Sequence, residues 1–114
     1  MFNDTDISQF LSAFESSKHM RMLNVFLKGF TTQRENYLHA LNNQDTAGLK
    51  ASVHDIKSIA RTILAHDMGQ QAEDIEEMIQ NGQTEIALEK APALIPELDH
   101  AIVLLGKAIE GTSL

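Results

Sequence analysis

The sequence has no cysteine and no tryptophan, and only two prolines, six glycines and one tyrosine among 114 residues. Without cysteine there is no disulfide, no thiolate nucleophile and no cysteine-based zinc site. So little turn chemistry and so few aromatics exclude a β-sandwich. No apolar run approaches the ~20 residues a membrane-spanning helix needs. The first residues lack a basic stretch followed by an apolar one, so no signal peptide is expected. Cations are also scarce, with nine Lys and Arg against sixteen Asp and Glu and a net charge of −7. An acidic body is disfavoured on nucleic acid and on anionic membranes, so neither is an expected partner. A cytoplasmic protein is expected. There is no internal repeat and no low-complexity tract.

What is present is ordinary for a globular chain: 43% hydrophobic and 22% charged residues. That is enough for a single domain, 1–114, with one core. Residues 1–4 are expected to fray. Asp4 or Thr5 is positioned to cap a short helix, about 5–15, with Ile7, Phe10, Leu11 and Phe14 as its apolar stripe. A second helix is predicted from Lys18 to Asn42, burying Met22, Leu23, Phe26, Leu27, Phe30, Tyr37, Leu38 and Leu41. Arg34 interrupts that stripe, and its head is expected in water. Asn42-Asn43-Gln44-Asp45 reads as a turn, with Asp45 capping a third helix that ends near His66. Asp67 is the expected cap of a fourth, with Met68, Ala72, Ile75 and Ile79 facing in and Gly82 ending it in the left-handed conformation. Thr84 is the expected cap of the last. There Leu88, Ala91, Ile95, Leu98, Ile102, Leu105 and Ile109 form a heptad seam that keeps phase through Pro92 and Pro96, which predicts one bent helix. The fold class is all-α: an antiparallel four-helix bundle, about 18–110, with an additional short N-terminal helix.

Within the third helix, Leu49, Val53, Ile56, Ala60 and Ile63 fall on one apolar face. Lys50, His54, Lys57 and Arg61 share a separate arc about 60° wide on the solvent side. One imidazole therefore lies in a column of three of the chain's nine cations. Ala47, Ala51, Ser58 and Ala65, all small, lie beside it. A nucleophilic ring among cations and low side chains is suited to receive an anion carried in by another protein.

Around His54 the sequence resembles the histidine-containing phosphotransfer (HPt) family. The resemblance rests on His54-Asp55-Ile56-Lys57-Ser58-Ile59-Ala60 followed by Ile63-Leu64-Ala65. It extends through Phe26 to Val53, through Met68, Ala72, Ile75-Glu76 and Gly82, and through Ala93-Leu94-Ile95-Pro96-Glu97-Leu98, covering about residues 20 to 108. Two positions depart from the pattern, since Ser58 and Leu64 stand where Gly is usual. Ser58 is still small enough for docking. Leu64 bears on how closely the fourth helix approaches.

The resemblance implies a phosphorelay. A receiver domain of a hybrid sensor kinase or response regulator docks, and His54 takes its phosphoryl group and passes it to a second receiver's aspartate. An ordinary imidazole titrates at about 6.5, so a neutral nucleophile is available near pH 7. Lys57, one turn away, is placed to neutralise a phosphoryl oxygen. Lys57→Ala is expected to slow transfer and leave the fold intact. Lys50, Ala51, Ser58 and Arg61 are the expected docking surface. The chain is expected to bind no cofactor or metal itself, magnesium being expected on the partner receiver, and to have no autonomous kinase activity. A monomer is expected. An interaction module that binds a receiver or kinase domain without accepting phosphate remains the alternative. His19, His39, His66 and His100 show no paired metal-ligand spacing. Glu73/Glu76 and Asp74/Glu77 read as solvated faces.

Overall fold

The computed structural model describes the backbone of residues 1–113 and the side chains of residues 1–112. It is all-α among the described residues, with helices α1 (Asp4–Leu11), α2 (His19–Asn42), α3 (Thr46–Thr62), α4 (His66–Gln80), α5 (Thr84–Lys90) and α6 (Ile95–Ser113). Helix α2 packs on α3 and α6, and α4 packs on α3 and α5. Contacts that step in opposite directions along the chain show α3 antiparallel to α4, with Lys57 meeting Glu76 and Arg61 meeting Glu73. They show α2 antiparallel to the end of the chain in the same way, with Arg34 meeting Asp99 and Tyr37 meeting Ala91. Gln33 of α2 donates to Asp55 of α3 at 3.3 Å. The result is a rod of 46 × 21 × 18 Å. Leu23, Phe30, Tyr37, Leu49, Val53, Ile56, Leu94, Leu98 and Leu105 are fully buried along its axis. None of the helices is long and apolar enough to cross a membrane among the described residues.

Helices α2, α3 and α4 end in the same way. The residue after each C-cap turns left-handed: Gln44 at φ 49°, Leu64 at φ 69° and Gly82 at φ 77°. Each end closes with the paired bonds of a Schellman motif, for example Ala65 N–H to the Ala60 carbonyl at 2.7 Å and Leu64 N–H to Arg61 at 3.3 Å. Gly82 behaves as its residue type predicts. Leu64 explains its own position: the backbone there needs the conformation that glycine adopts without steric cost. It also stops α3 at Thr62, short of the expected His66. Helix α4 consequently starts at His66, after Ala65, and Asp67 lies in its first turn instead of capping it. Asp45 caps α3 as expected, accepting from Gly48 N–H at 3.0 Å.

Three further expectations are corrected. Helix α1 is capped by Asn3, not Asp4 or Thr5: the Asn3 side chain accepts from Asp6 N–H while the Asp6 carboxylate accepts from Asn3 N–H, both at 3.0 Å. The segment before it is anchored, with Phe2 buried and its carbonyl accepting from His100 Nε2 at 2.6 Å. The Arg34 head is engaged by Asp99 across the α2–α6 contact.

The last helix is not one continuous α-helix. A 3-10 turn, Ala91–Leu94, separates α5 from α6. The proline chemistry accounts for it. Pro96 has no N–H to donate to the Pro92 carbonyl. Ile95 N–H bonds Pro92 instead, tightening the turn. The Ala91 carbonyl, which Ile95 would have served in an α-helix, accepts from the buried Tyr37 hydroxyl at 2.5 Å. The backbone stays right-handed at Lys90, Ala91 and Ile95. The fully buried line is Ala87, Ala91, Leu94, Leu98, Ala101 and Leu105. Leu88, Ile95, Ile102 and Ile109 of the expected seam sit on its flank, partly buried.

Candidate functional site

Leu49, Val53, Ile56 and Ala60 drive one face of α3 into the core with no exposed surface, and that fixes the rotation of the helix. Rotation then decides the rest. The His54 side chain stands out on the surface, 64% exposed, while Lys57 lies lower against α4, 19% exposed. Both meet Glu76 of α4. His54 Nδ1 is 2.8 Å from Glu76 Oε2, and Lys57 Nζ is 2.5 Å from Oε1. The Glu76 side chain is only 8% exposed. A buried carboxylate needs partners, and these two supply them.

The Lys57 hydrogen bond holds the Glu76 carboxyl below its ordinary range, with His54 adding to the effect; both outweigh the opposing influence of burial. Glu76 is thus an ionised, acceptor-only group. It follows that the hydrogen lies on His54 Nδ1. In the neutral ring the lone pair is then on Nε2. The arrangement yields an imidazole anchored at one nitrogen, open to solvent at the other, beside an ammonium that retains unused donors.

Helix α4 engages two of the three cations around His54. Lys57 is engaged by Glu76. Arg61 is engaged by Glu73 at 2.7 Å, its stem laid across Gly69, where an added Cβ would come within 3.0 Å of Arg61 Cγ. Lys50 is exposed and forms no ion pair among the described residues. Ala47, Ala51 and Ser58 are exposed around His54, but Ala65 lies beyond the end of α3 and is buried. On the α2 side, Asp55 is held by Gln33. Among the described residues no cluster of three or more metal-ligating side chains forms.

Glu76 is the group that reading the sequence missed, since Glu73 and Glu76 had been placed on a solvated face. A signal was available. Glu76 lies eight residues after Met68 and four after Ala72, beside the inward stripe of α4, and an acid there implies a partner on the neighbouring helix.

The family model for the Hpt domain matches residues 21–107. The chain belongs to the Hpt domain family, whose members typically interact with receiver domains, and membership points to a role in phosphorelay. Comparison with curated proteins and with solved structures gives no match.

Proposed function

We propose that the chain is a phosphocarrier between receiver domains, with His54 as the phosphoacceptor. The observation that carries this is the His54–Glu76 hydrogen bond on an otherwise open ring. It leaves the Nε2 lone pair aimed at solvent, where a docked receiver presents its aspartyl phosphate. Nε2 attacks phosphorus in line, and the pair of the breaking P–O bond leaves with the aspartate. Such a transition state asks for positioning and positive charge more than for a deep pocket. Lys57 supplies charge through the donors that Glu76 does not use. Ala51 and Ser58 keep the surround low, and Lys50 and Arg61 orient the receiver's acidic rim. Magnesium and the remaining catalytic groups belong to the receiver. The relay is cytoplasmic, and its partners are the receivers of a hybrid sensor kinase and of a response regulator.

The test is incubation with an acetyl-phosphate-charged receiver. Acid-labile, base-stable label is expected on the chain and none on His54→Gln. Label that persists in His54→Gln refutes the site. No label on the native chain with any cognate receiver leaves the non-phosphorylated interaction module.

A further inference from the structure

The same carboxylate that anchors the resting ring faces it after transfer, and this has a chemical effect on the phosphorylated state. We propose that Glu76 is a positioning residue that keeps the proton on His54 Nδ1 throughout the cycle, so that the phosphorylated ring stays an imidazolium and its phosphoryl group remains ready to leave. The proposal rests on the reading of His54 as the phosphoacceptor.

On loading, the Nε2 lone pair forms the N–P bond and the P–O bond to aspartate breaks, its pair staying on the aspartate. The ring gains one positive charge, shared with the Nδ1–H that points at Glu76 Oε2 from 2.8 Å. On unloading, a second aspartate oxygen attacks phosphorus, the N–P bond breaks, and its pair returns to Nε2. The product is the starting neutral ring with its Nδ1–H. No proton moves in either direction. If Nδ1 instead lost its proton after loading, the ring would depart as an imidazolate, a far poorer leaving group, until a proton was recovered.

Burial strengthens the device. The Glu76 carboxylate is 8% exposed, so its charge on the ring is screened less than that of a surface carboxylate, although the ring itself is 64% exposed. Lys57 on the other oxygen keeps the proton from passing to Glu76 itself. The remaining charged groups nearby are accounted for. From α3, Lys50 is exposed, Arg61 is engaged by Glu73, and Asp55 is held by Gln33 of α2. On α4, Glu77 is exposed, and Asp74 lies with Glu89 and Lys90 of α5 on the opposite side of the helix.

The experiment loads the full chain with phosphoramidate, a small phosphoryl donor that needs no receiver, and follows loss of phosphohistidine by phosphorus NMR from about pH 6 to 9. Glu76→Gln removes the charge and leaves one carbonyl oxygen to accept from Nδ1–H, its amide nitrogen then taking the place of the oxygen that accepts from Lys57. Its loss profile is expected to move about one unit toward acid, with phosphoryl loss approaching tenfold slower on the alkaline side of the native profile. A second measurement needs no variant: in the phosphorylated native chain the nitrogen shift of Nδ1 should be that of a protonated nitrogen near pH 8. A variant profile superimposed on the native one, or an unprotonated Nδ1, overturns the proposal and leaves the phosphoacceptor intact. Failure of both phosphoramidate and a charged receiver to label His54 overturns the underlying reading and the proposal with it.

Discussion

Removing the Lys57 ammonium should destabilise the protein as well as slow transfer, and the destabilisation should depend on pH. In the native structure Lys57 and His54 together satisfy a carboxylate that is 8% exposed. Lys57→Ala leaves Glu76 buried with only the imidazole to answer its charge. Breaking a fully buried ion pair from one side costs about 3–5 kcal/mol, and losing a hydrogen bond to a charged group about 1.5–3 kcal/mol. Lys57 retains some exposure and His54 stays in place, so the lower range applies and about 2 kcal/mol is expected.

The sign of the pH effect follows from Glu76. Its folded pKa lies below the ordinary 4.5, chiefly through the Lys57 hydrogen bond. The stability it contributes is therefore complete above about 4.5 and is lost as pH falls through the folded value. In Lys57→Ala the main lowering influence is gone while burial remains, so the carboxyl titrates higher. The gap between native and variant should be widest near pH 7.5 and narrow on acidification, as a protonated Glu76 no longer needs the ammonium. Urea unfolding followed by circular dichroism near pH 7.5 and pH 4 measures it. Adding Glu76→Gln to Lys57→Ala should recover most of the loss near neutrality. A loss under about 0.5 kcal/mol near pH 7.5, or one that is equal at both pH values, refutes the account. The sequence alone led to the expectation of an unaffected fold, because Lys57 falls on the solvent side of α3, placed to meet a phosphoryl oxygen.

Other outcomes follow from the same structure. Gln44→Gly should raise stability by about 0.5–1 kcal/mol, because Gln44 sits at φ 49° and is exposed; thermal or urea unfolding reads this. Leu64→Gly should gain less, since it relieves φ 69° but removes a side chain packed against the core. Tyr37→Phe should cost about 1 kcal/mol by removing the buried hydrogen bond from its hydroxyl to the Ala91 carbonyl. In transfer assays at low salt, Lys50→Ala should slow receiver association more than Arg61→Ala does. Lys50 has no acidic partner among the described residues, whereas Arg61 is already neutralised by Glu73. Equal effects would show that Glu73 releases Arg61 on docking.

Much of the fold was legible because its determinants are local. Turn residues at 42–45 and 81–82 and the periodic apolar positions located the bundle helices, and the Asp45 cap and left-handed Gly82 were read correctly. Boundaries failed where one backbone bond had consequences several residues away. The left-handed Leu64 shortened α3, and the missing N–H of Pro96 divided the last helix. In the last helix Ala91, Leu98 and Leu105 of the expected seam are fully buried, but the positions between them are Ala87, Leu94 and Ala101, each one residue before the expected Leu88, Ile95 and Ile102. The period alone does not say whether Leu94 or Ile95 points inward, and it is Leu94 that is fully buried.

The sequence by itself determined that His54 and Lys57 share a surface-facing side of α3. That follows from the helical period and from an apolar stripe that can face only the core. Only the tertiary structure decided that Glu76 lies beneath them, that Glu73 restrains Arg61, and that Lys50 is left without an acidic partner among the described residues. Those pairings depend on how far α4 is rotated and shifted against α3. That register is set by the side chains packed between the two helices and by the short left-handed turn that joins them, and no spacing within either helix encodes it.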